Sequence, residues 1–99
     1  MPKPQPPLSP EEQVLAAQLP RAPLSQIADI IRRNWRPMNF AAKPYVAAML
    51  QVPALDSVYG AETGRDLTLG FLANASTWRG TTARLVKAEL NRRLKSSGG

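Results

Sequence analysis

The chain has 99 residues and a net charge of +6 at pH 7, from 13 Lys and Arg against seven Asp and Glu. It contains no His and no Cys, which excludes disulfides, zinc–thiolate sites and the usual general base at neutral pH. We therefore expect one modest core, a basic surface, no cofactor and no metal.

The N-terminal segment predicts an arm that leads into a short helix. Residues 1–8 hold four of the ten prolines, so we expect a disordered, Pro-rich arm there. Ser9 and Glu12 have the spacing of a capping box, in which each side chain bonds the backbone N–H of the other residue. Pro10 suits the first position of the helix that follows, at about residues 10–18.

Two further helices are predicted before residue 53. Ser25 can cap the first of them, and Pro37 stops it. Its apolar stripe consists of Leu24, Ile27, Ala28, Ile31 and Trp35. The second is expected at about 41–52, after a bent entry imposed by Pro44. Its inward residues are expected to be Ala41, Tyr45, Ala48, Met49 and Val52.

The second half of the chain predicts a loop and a fourth helix. Thr63 and Asp66 form a second capping box after a loop at 53–63, and the helix that it opens extends to about residue 76. The apolar residues expected to be buried there are Leu67, Phe71, Ala75 and Trp78.

The fold class follows from the absence of any sustained alternation of apolar and polar residues, so no sheet is predicted. We expect an all-α fold: a compact bundle of four to five short helices, in one domain at 9–95, with the disordered arm before it. No apolar run approaches the ~20 residues that cross a bilayer, which predicts a cytoplasmic protein without membrane contact.

The last predicted helix separates apolar from basic residues. Thr81 or Thr82 can cap it after Gly80, and a flexible tail is expected at 96–99. Its inward side carries Ala83, Val86, Leu90 and Leu94, and its opposite side carries Arg84, Lys87, Asn91 and Lys95. Such a cationic face on a small basic protein predicts a nucleic-acid partner, either DNA or RNA.

The order of the last two helices also resembles the outline of a helix-turn-helix motif, with a turn through 76–80 and a basic second helix. The candidate nucleic-acid-binding residues form two clusters: Arg32, Arg33, Arg36 and Lys43 in the first, and Arg79, Arg84, Lys87, Asn91, Arg92 and Lys95 in the second. A structural role is the alternative, because cations near a helix C-terminus complement the helix dipole. Glu89 and Arg93 likewise have the spacing of an ordinary surface ion pair.

Catalytic interpretations find no support in the motifs. The glycine-containing segment 60–66 lacks the Gly-Lys-Ser/Thr ending of a phosphate-binding loop. Asp56, Glu62 and Asp66 do not have the spacing of a calcium-binding loop, and no local motif supplies a serine nucleophile with a Lys or carboxylate partner. The sequence therefore predicts a non-enzymatic binding protein.

A protein-interaction module, such as an adaptor or inhibitor that binds an acidic protein surface, is the alternative function. Trp35 beside Arg36 and Trp78 beside Arg79 have the composition of interface hot spots. Both tryptophans also fall in register with an apolar stripe, which favours burial in the core.

Two segments carry a family resemblance. The pattern Asn39-Phe-Ala-Ala-Lys-Pro-Tyr45, together with Phe71-Leu-Ala-Asn-Ala-Ser-Thr-Trp-Arg-Gly80 and the helix after it, resembles a family of small uncharacterised bacterial and phage-associated proteins. The resemblance covers roughly residues 24–95 and implies a single compact domain with nothing catalytic. A link to mobile elements favours both binding hypotheses and does not separate them.

Overall fold

The computed structural model describes residues 7–97, where five α-helices surround one core. The helices are α1 (Pro10–Gln18), α2 (Leu24–Asn34), α3 (Lys43–Met49), α4 (Gly64–Ala73) and α5 (Thr81–Ser97). A short 3-10 turn, Leu19–Arg21, follows α1, and a ribbon of β1 (Val58–Tyr59) and β2 (Glu62–Thr63) precedes α4. The prediction of a compact, mainly helical fold is confirmed. Most of the predicted arm, residues 1–6, and Gly98–Gly99 of the predicted tail lie outside the described residues.

Helix α1 begins as the capping box predicts. The Glu12 N–H donates to Ser9 Oγ at 3.2 Å, and the Ser9 N–H donates to Glu12 Oε1 at 2.8 Å. No side chain of α1 is fully buried, although Leu15 packs against the core. Helix α1 is therefore an outer layer, which lies on α5 and on the 3-10 turn.

Helix α2 begins two residues earlier than a Ser25 cap requires, so the predicted cap is wrong. Pro23 occupies the cap position with an extended backbone and no side-chain hydrogen bond, and Leu24 is the first helical residue. The predicted apolar stripe is confirmed, since all five of its residues are buried: Leu24, Ile27, Ala28, Ile31 and Trp35.

Helix α3 is shorter than the predicted 41–52. The predicted inward residue Ala41 is exposed, because it lies in a turn in which its N–H donates to Asn39 Oδ1 at 3.0 Å. Val46 is buried in its place, together with the predicted Ala48, Met49 and Val52, while Tyr45 is partly buried. The Tyr45 ring lies against Gly70 of α4, so a side chain at Gly70 would collide with the ring. This close approach explains a glycine inside a helix, where it otherwise lowers stability.

Helix α4 starts at the predicted capping box and ends three residues early. The Asp66 N–H donates to Thr63 Oγ1 at 3.2 Å, and the Thr63 N–H donates to Asp66 Oδ2 at 3.0 Å. Asn74 leaves the helical conformation, and its side-chain amide donates back to the Gly70 carbonyl at 2.9 Å. The four predicted residues are nevertheless buried, two of them from the connection after the helix: Leu67, Phe71, Ala75 and Trp78.

The β1–β2 ribbon corrects the prediction of no sheet. Val58 pairs with Thr63 and Tyr59 with Glu62 in antiparallel register. Gly60 makes the tight turn possible, because its φ of +63° lies in the left-handed region. Two residues a strand are too few to produce a visible alternation, which is why the pattern missed them.

Three aromatic rings form the part of the core that positions the basic residues. Trp35 stacks on Trp78 with ring centroids 5.7 Å apart, and Phe71 meets both rings edge-on at 6.3 and 6.1 Å. The Trp78 indole N–H donates to Asn34 Oδ1 at 2.9 Å. The end of α2 is thereby fixed beside the connection between α4 and α5, which carries Trp78.

Candidate nucleic-acid interface

Helix α5 turns its basic side to the surface. Ala83, Val86, Leu90 and Leu94 are all buried, as predicted. On the opposite side Arg84, Asn91 and Lys95 are exposed and Lys87 is half-buried. The Asn91 side-chain amide donates to the Lys87 carbonyl at 2.9 Å, which fixes Asn91 along this side.

Four of the arginines at helix ends are already paired with carboxylates. On α2, Asp29 lies 2.5 Å from Arg32 and 2.9 Å from Arg33. On α5, Glu89 pairs with Arg92 at 2.5 Å and with Arg93 at 2.6 Å. The predicted site residues Arg32, Arg33 and Arg92 therefore each have a carboxylate partner, although each carboxylate is shared by two arginines and offsets only one of their two charges.

The Glu89–Arg93 pair is not the surface pair that its spacing suggested. Glu89 is only 7% exposed, and the Arg93 side chain is 17% exposed. Arg93 Nη2 also donates to the Leu19 and Ala22 carbonyls, at 2.6 Å each, across the boundary between α5 and the 3-10 turn. Hydrogen bonds from Arg92 first, and then from Arg93, hold the pKa of Glu89 below its ordinary value. This cluster stabilises the packing of α1 and the 3-10 turn against α5.

Three other cations surround a pocket at the start of α5, which we call the α5 notch. The notch has a volume of about 240 Å³ and is lined by Trp78, Arg79, Gly80, Ala83, Arg84 and Lys87. Within residues 7–97, no carboxylate oxygen lies within 4.0 Å of Arg79, Arg84 or Lys87. The notch thus concentrates positive charge that the described part of the protein does not neutralise.

Lys87 is the best-positioned of the three cations. Its Nζ donates to the Trp78 carbonyl at 2.7 Å, and this uses one of the three ammonium protons. Burial lowers the pKa of Lys87, and the positive charge of Arg79 lowers it further. An anion in the notch would offset the repulsion between Lys87 and Arg79. It would also accept hydrogen bonds from the two remaining N–H groups of the Lys87 ammonium.

A carboxylate of α1, Glu12, interacts electrostatically with one of the notch cations. The Ser9 hydrogen bonds are the main reason that the pKa of Glu12 is lowered, and Thr81 and Arg84 contribute in the same direction. Glu12 is therefore close enough to Arg84 for their charges to interact, without forming an ion pair. No local pattern predicts this approach, because Glu12 is recognisable from the sequence only as a capping residue.

The first predicted cluster is spread over two places. Arg36 follows Trp35 in the chain and Arg79 follows Trp78, so the stacked tryptophans join the segments that carry these two arginines. Arg32 and Lys43 instead line a separate surface pocket of about 150 Å³ between α2 and α3. Neither Arg33 nor Arg36 lines that pocket, so only two of the four residues of the first cluster share it.

The helix-turn-helix comparison does not carry over to the structure in its usual form. Helix α4 ends at Ala73 and α5 begins at Thr81, so residues 74–80 form the connection. Helix-turn-helix motifs use a turn of about three or four residues. The connection before α5 is therefore longer than the turn of that motif.

No family model matches the chain, and the comparisons with curated proteins and with solved structures found no match. Within residues 7–97 no group of three or more acidic, His or Cys side chains is arranged to hold a metal ion. None of the helices in that part of the chain combines the length and apolar character needed to cross a bilayer. The case for a function rests on the geometry of the α5 notch and the basic side of α5.

Proposed function

We propose that the protein is a non-enzymatic nucleic-acid-binding protein that contacts phosphates through the α5 face. This face comprises the notch cations and the exposed residues that continue from them along the helix: Arg79, Arg84, Lys87, Asn91 and Lys95. The observation that supports the proposal is the difference between two groups of cations. Arg32, Arg33 and Arg92 have carboxylate partners, whereas the notch cations have none within 4.0 Å in the described residues.

Uncompensated, clustered cations favour a polyanion for a simple electrostatic reason. Holding Arg79 close to Lys87 costs free energy: burial is the main cause of the lowered pKa of Lys87, and the positive charge of Arg79 lowers that pKa further. A nucleic-acid strand removes that cost, and it gains entropy by releasing its condensed counterions. The axial distance from Arg84 to Lys95 is about 16 Å along α5, which corresponds to about five nucleotides of a B-form strand.

The first prediction concerns the salt dependence of this binding. Fluorescence anisotropy with labelled duplex DNA, single-stranded DNA and RNA is expected to give log–log salt slopes of about −3 to −6. The Arg84→Gln/Lys87→Gln double variant is expected to bind more weakly at low salt and to flatten the slope by about 1.4 to 1.8, because two phosphate contacts are lost. Circular dichroism should show an unchanged fold.

The matched control is the Arg32→Gln/Arg33→Gln double variant. It removes the same amount of formal charge from exposed positions whose cations are paired with Asp29. We expect its salt slope to stay within about 0.5 of the wild-type slope, since these two arginines share a carboxylate and lie outside the proposed α5 face. Equal flattening in the two double variants would show that only net charge matters and would remove the α5 face as the site. No binding of the wild type at low salt would end the nucleic-acid proposal.

A protein partner is the second candidate, and one observation favours it. Phe40 is 86% exposed just before α3, although an aromatic side chain of this size is usually covered. The tryptophans that the sequence offered as hot spots are buried, with Trp35 8% and Trp78 3% exposed, so Phe40 replaces them as the candidate anchor. A protein retained by the wild type and lost by an equally folded Phe40→Ser variant would favour this function.

A further inference from the structure

We infer that the α5 notch receives the terminal phosphate monoester at the end of a nucleic-acid strand. The inference rests on the proposed function and adds which part of the nucleic acid enters the notch. Three features carry it: the charge gathered around the notch, its concave shape, and the row of polar residues that leads away from it.

The charge of the notch matches a monoester better than an internal phosphodiester. Arg79, Arg84 and Lys87 bring three positive charges to one pocket, and the Glu12 carboxylate of α1 interacts with Arg84. An internal phosphodiester carries one negative charge, whereas a monoester carries about −1.5 to −2 at pH 7 and offers three strong acceptor oxygens. Two protons of the Lys87 ammonium and the two guanidinium groups are the donors for those oxygens.

The shape of the notch favours the end of a strand. Arg84 and Lys95 are exposed, so a phosphate inside a continuous strand can reach them from the side. Lys87 is half-buried, and its ammonium is held against the Trp78 carbonyl at the wall of the notch. An internal phosphate is flanked by a sugar on each side, which limits how deeply it can enter a pocket. A terminal phosphate is free on one side and can approach Lys87 directly.

The row beyond the notch indicates why the monoester belongs to a nucleic acid. Asn91 and Lys95 follow the notch on the exposed side of α5. They can contact the phosphates and sugars that come after the terminal group, as positively charged and amide side chains commonly do. A free phosphate or a lone nucleotide would leave this row unused.

The test compares single strands of 12 nucleotides that differ only in their ends. The probes are a 3′-labelled strand with a 5′-phosphate or a 5′-hydroxyl, and a 5′-labelled strand with a 3′-phosphate or a 3′-hydroxyl. We expect the wild type to bind at least one phosphorylated strand about tenfold more tightly than its hydroxyl counterpart at pH 7.5. At pH 5.5 the advantage is expected to shrink severalfold, because the monoester takes up its second proton with a pKa of about 6.

Two variants locate the effect in the notch. Lys87→Gln keeps a donor for the Trp78 carbonyl, and Arg79→Gln changes an exposed side chain. In both, we expect the phosphate advantage to fall below about threefold. In Lys95→Gln, both members of a pair should weaken equally, so that the advantage is preserved. Competition by millimolar inorganic phosphate should reduce the advantage without abolishing binding of the hydroxyl strand.

The outcomes separate this inference from the proposed function. Equal binding of phosphorylated and hydroxyl strands, at both ends, would overturn the inference and leave the proposed function intact. An advantage that persists in both notch variants would place the terminal phosphate elsewhere and would also overturn it. No binding of any strand would remove the proposed function itself.

Discussion

Replacing Phe71 by alanine is expected to lower the free energy of unfolding by about 3–5 kcal/mol. Phe71 is fully buried and meets both tryptophan rings edge-on, at centroid distances of 6.3 and 6.1 Å. Its removal leaves a cavity and deprives each tryptophan of an aromatic neighbour. A domain of this size has a total stability of about 5–15 kcal/mol, so the variant should lie near the limit of folding. Urea denaturation followed by circular dichroism measures the loss.

Phe40→Ala is the matched control for this prediction. It makes the same chemical change at a side chain that is 86% exposed, so the free energy of unfolding should change by less than about 0.5 kcal/mol. Similar losses in the two variants would contradict the placement of Phe71 in the core. Phe71→Leu, which fills most of the volume, should recover more than half of the loss and keep enough folded protein for the comparison.

Local signals predicted the helices well where a complete capping box or an apolar stripe set them, whereas the single-residue caps predicted at Ser25 and at Thr81 or Thr82 are wrong, since α2 begins at Leu24 and α5 at Thr81. The boxes at Ser9 and Thr63 fixed the starts of α1 and α4, because they depend only on residues three positions apart. Helix α4 ends earlier than predicted because two hydrogen bonds hold Asn74 outside it. The Asn74 side-chain amide donates to the Gly70 carbonyl, and the Asn39 side-chain amide donates to the Asn74 carbonyl at 3.3 Å. That second contact joins residues 35 positions apart, so no local pattern could reveal it.

The sequence predicted which side of α5 faces solvent, but it did not predict which of the basic residues pair with carboxylates. The 3.6-residue period correctly separated Arg84 from the buried Val86 and Leu90. The period could not show that Arg92 and Arg93 converge on a buried Glu89, since burial depends on where α1 and the 3-10 turn pack. It also could not show which cations remain without a carboxylate, and this is the distinction on which the proposed function depends.

The two groups of basic residues on α5 consequently have different roles. The first half of the helix directs its cations at the notch, where burial, and then the positive charge of Arg79, lowers the pKa of Lys87. The second half uses Arg93 to tie the helix to two backbone carbonyls and to Glu89. Variants in the first half should change binding more than stability, and variants at Arg93 should change stability more than binding.

Arg93→Met is the variant expected to show the larger stability effect on α5, a loss of about 2–4 kcal/mol in the free energy of unfolding. The change keeps most of the apolar volume, but it leaves the Leu19 and Ala22 carbonyls without this donor and Glu89 with Arg92 alone. Arg92→Met is the matched control. The Arg92 side chain also pairs with Glu89 but is 55% exposed, so this variant should lose much less free energy of unfolding than Arg93→Met. Equal losses would contradict a special role for Arg93.

The pairing of Glu89 with Arg92 and Arg93 also predicts how the stability of the protein depends on pH. The folded protein lowers the pKa of Glu89, so the unfolded chain binds its proton more readily. The stabilisation is therefore complete above the ordinary glutamate pKa of about 4.5 and is lost as the pH falls through and below that value. Urea titrations from pH 7 to pH 3 should show a steeper loss of stability in the wild type than in Glu89→Gln, which has no proton to take up. Parallel curves for these two proteins would mean that the arginines do not stabilise the charged form of Glu89 in the folded state.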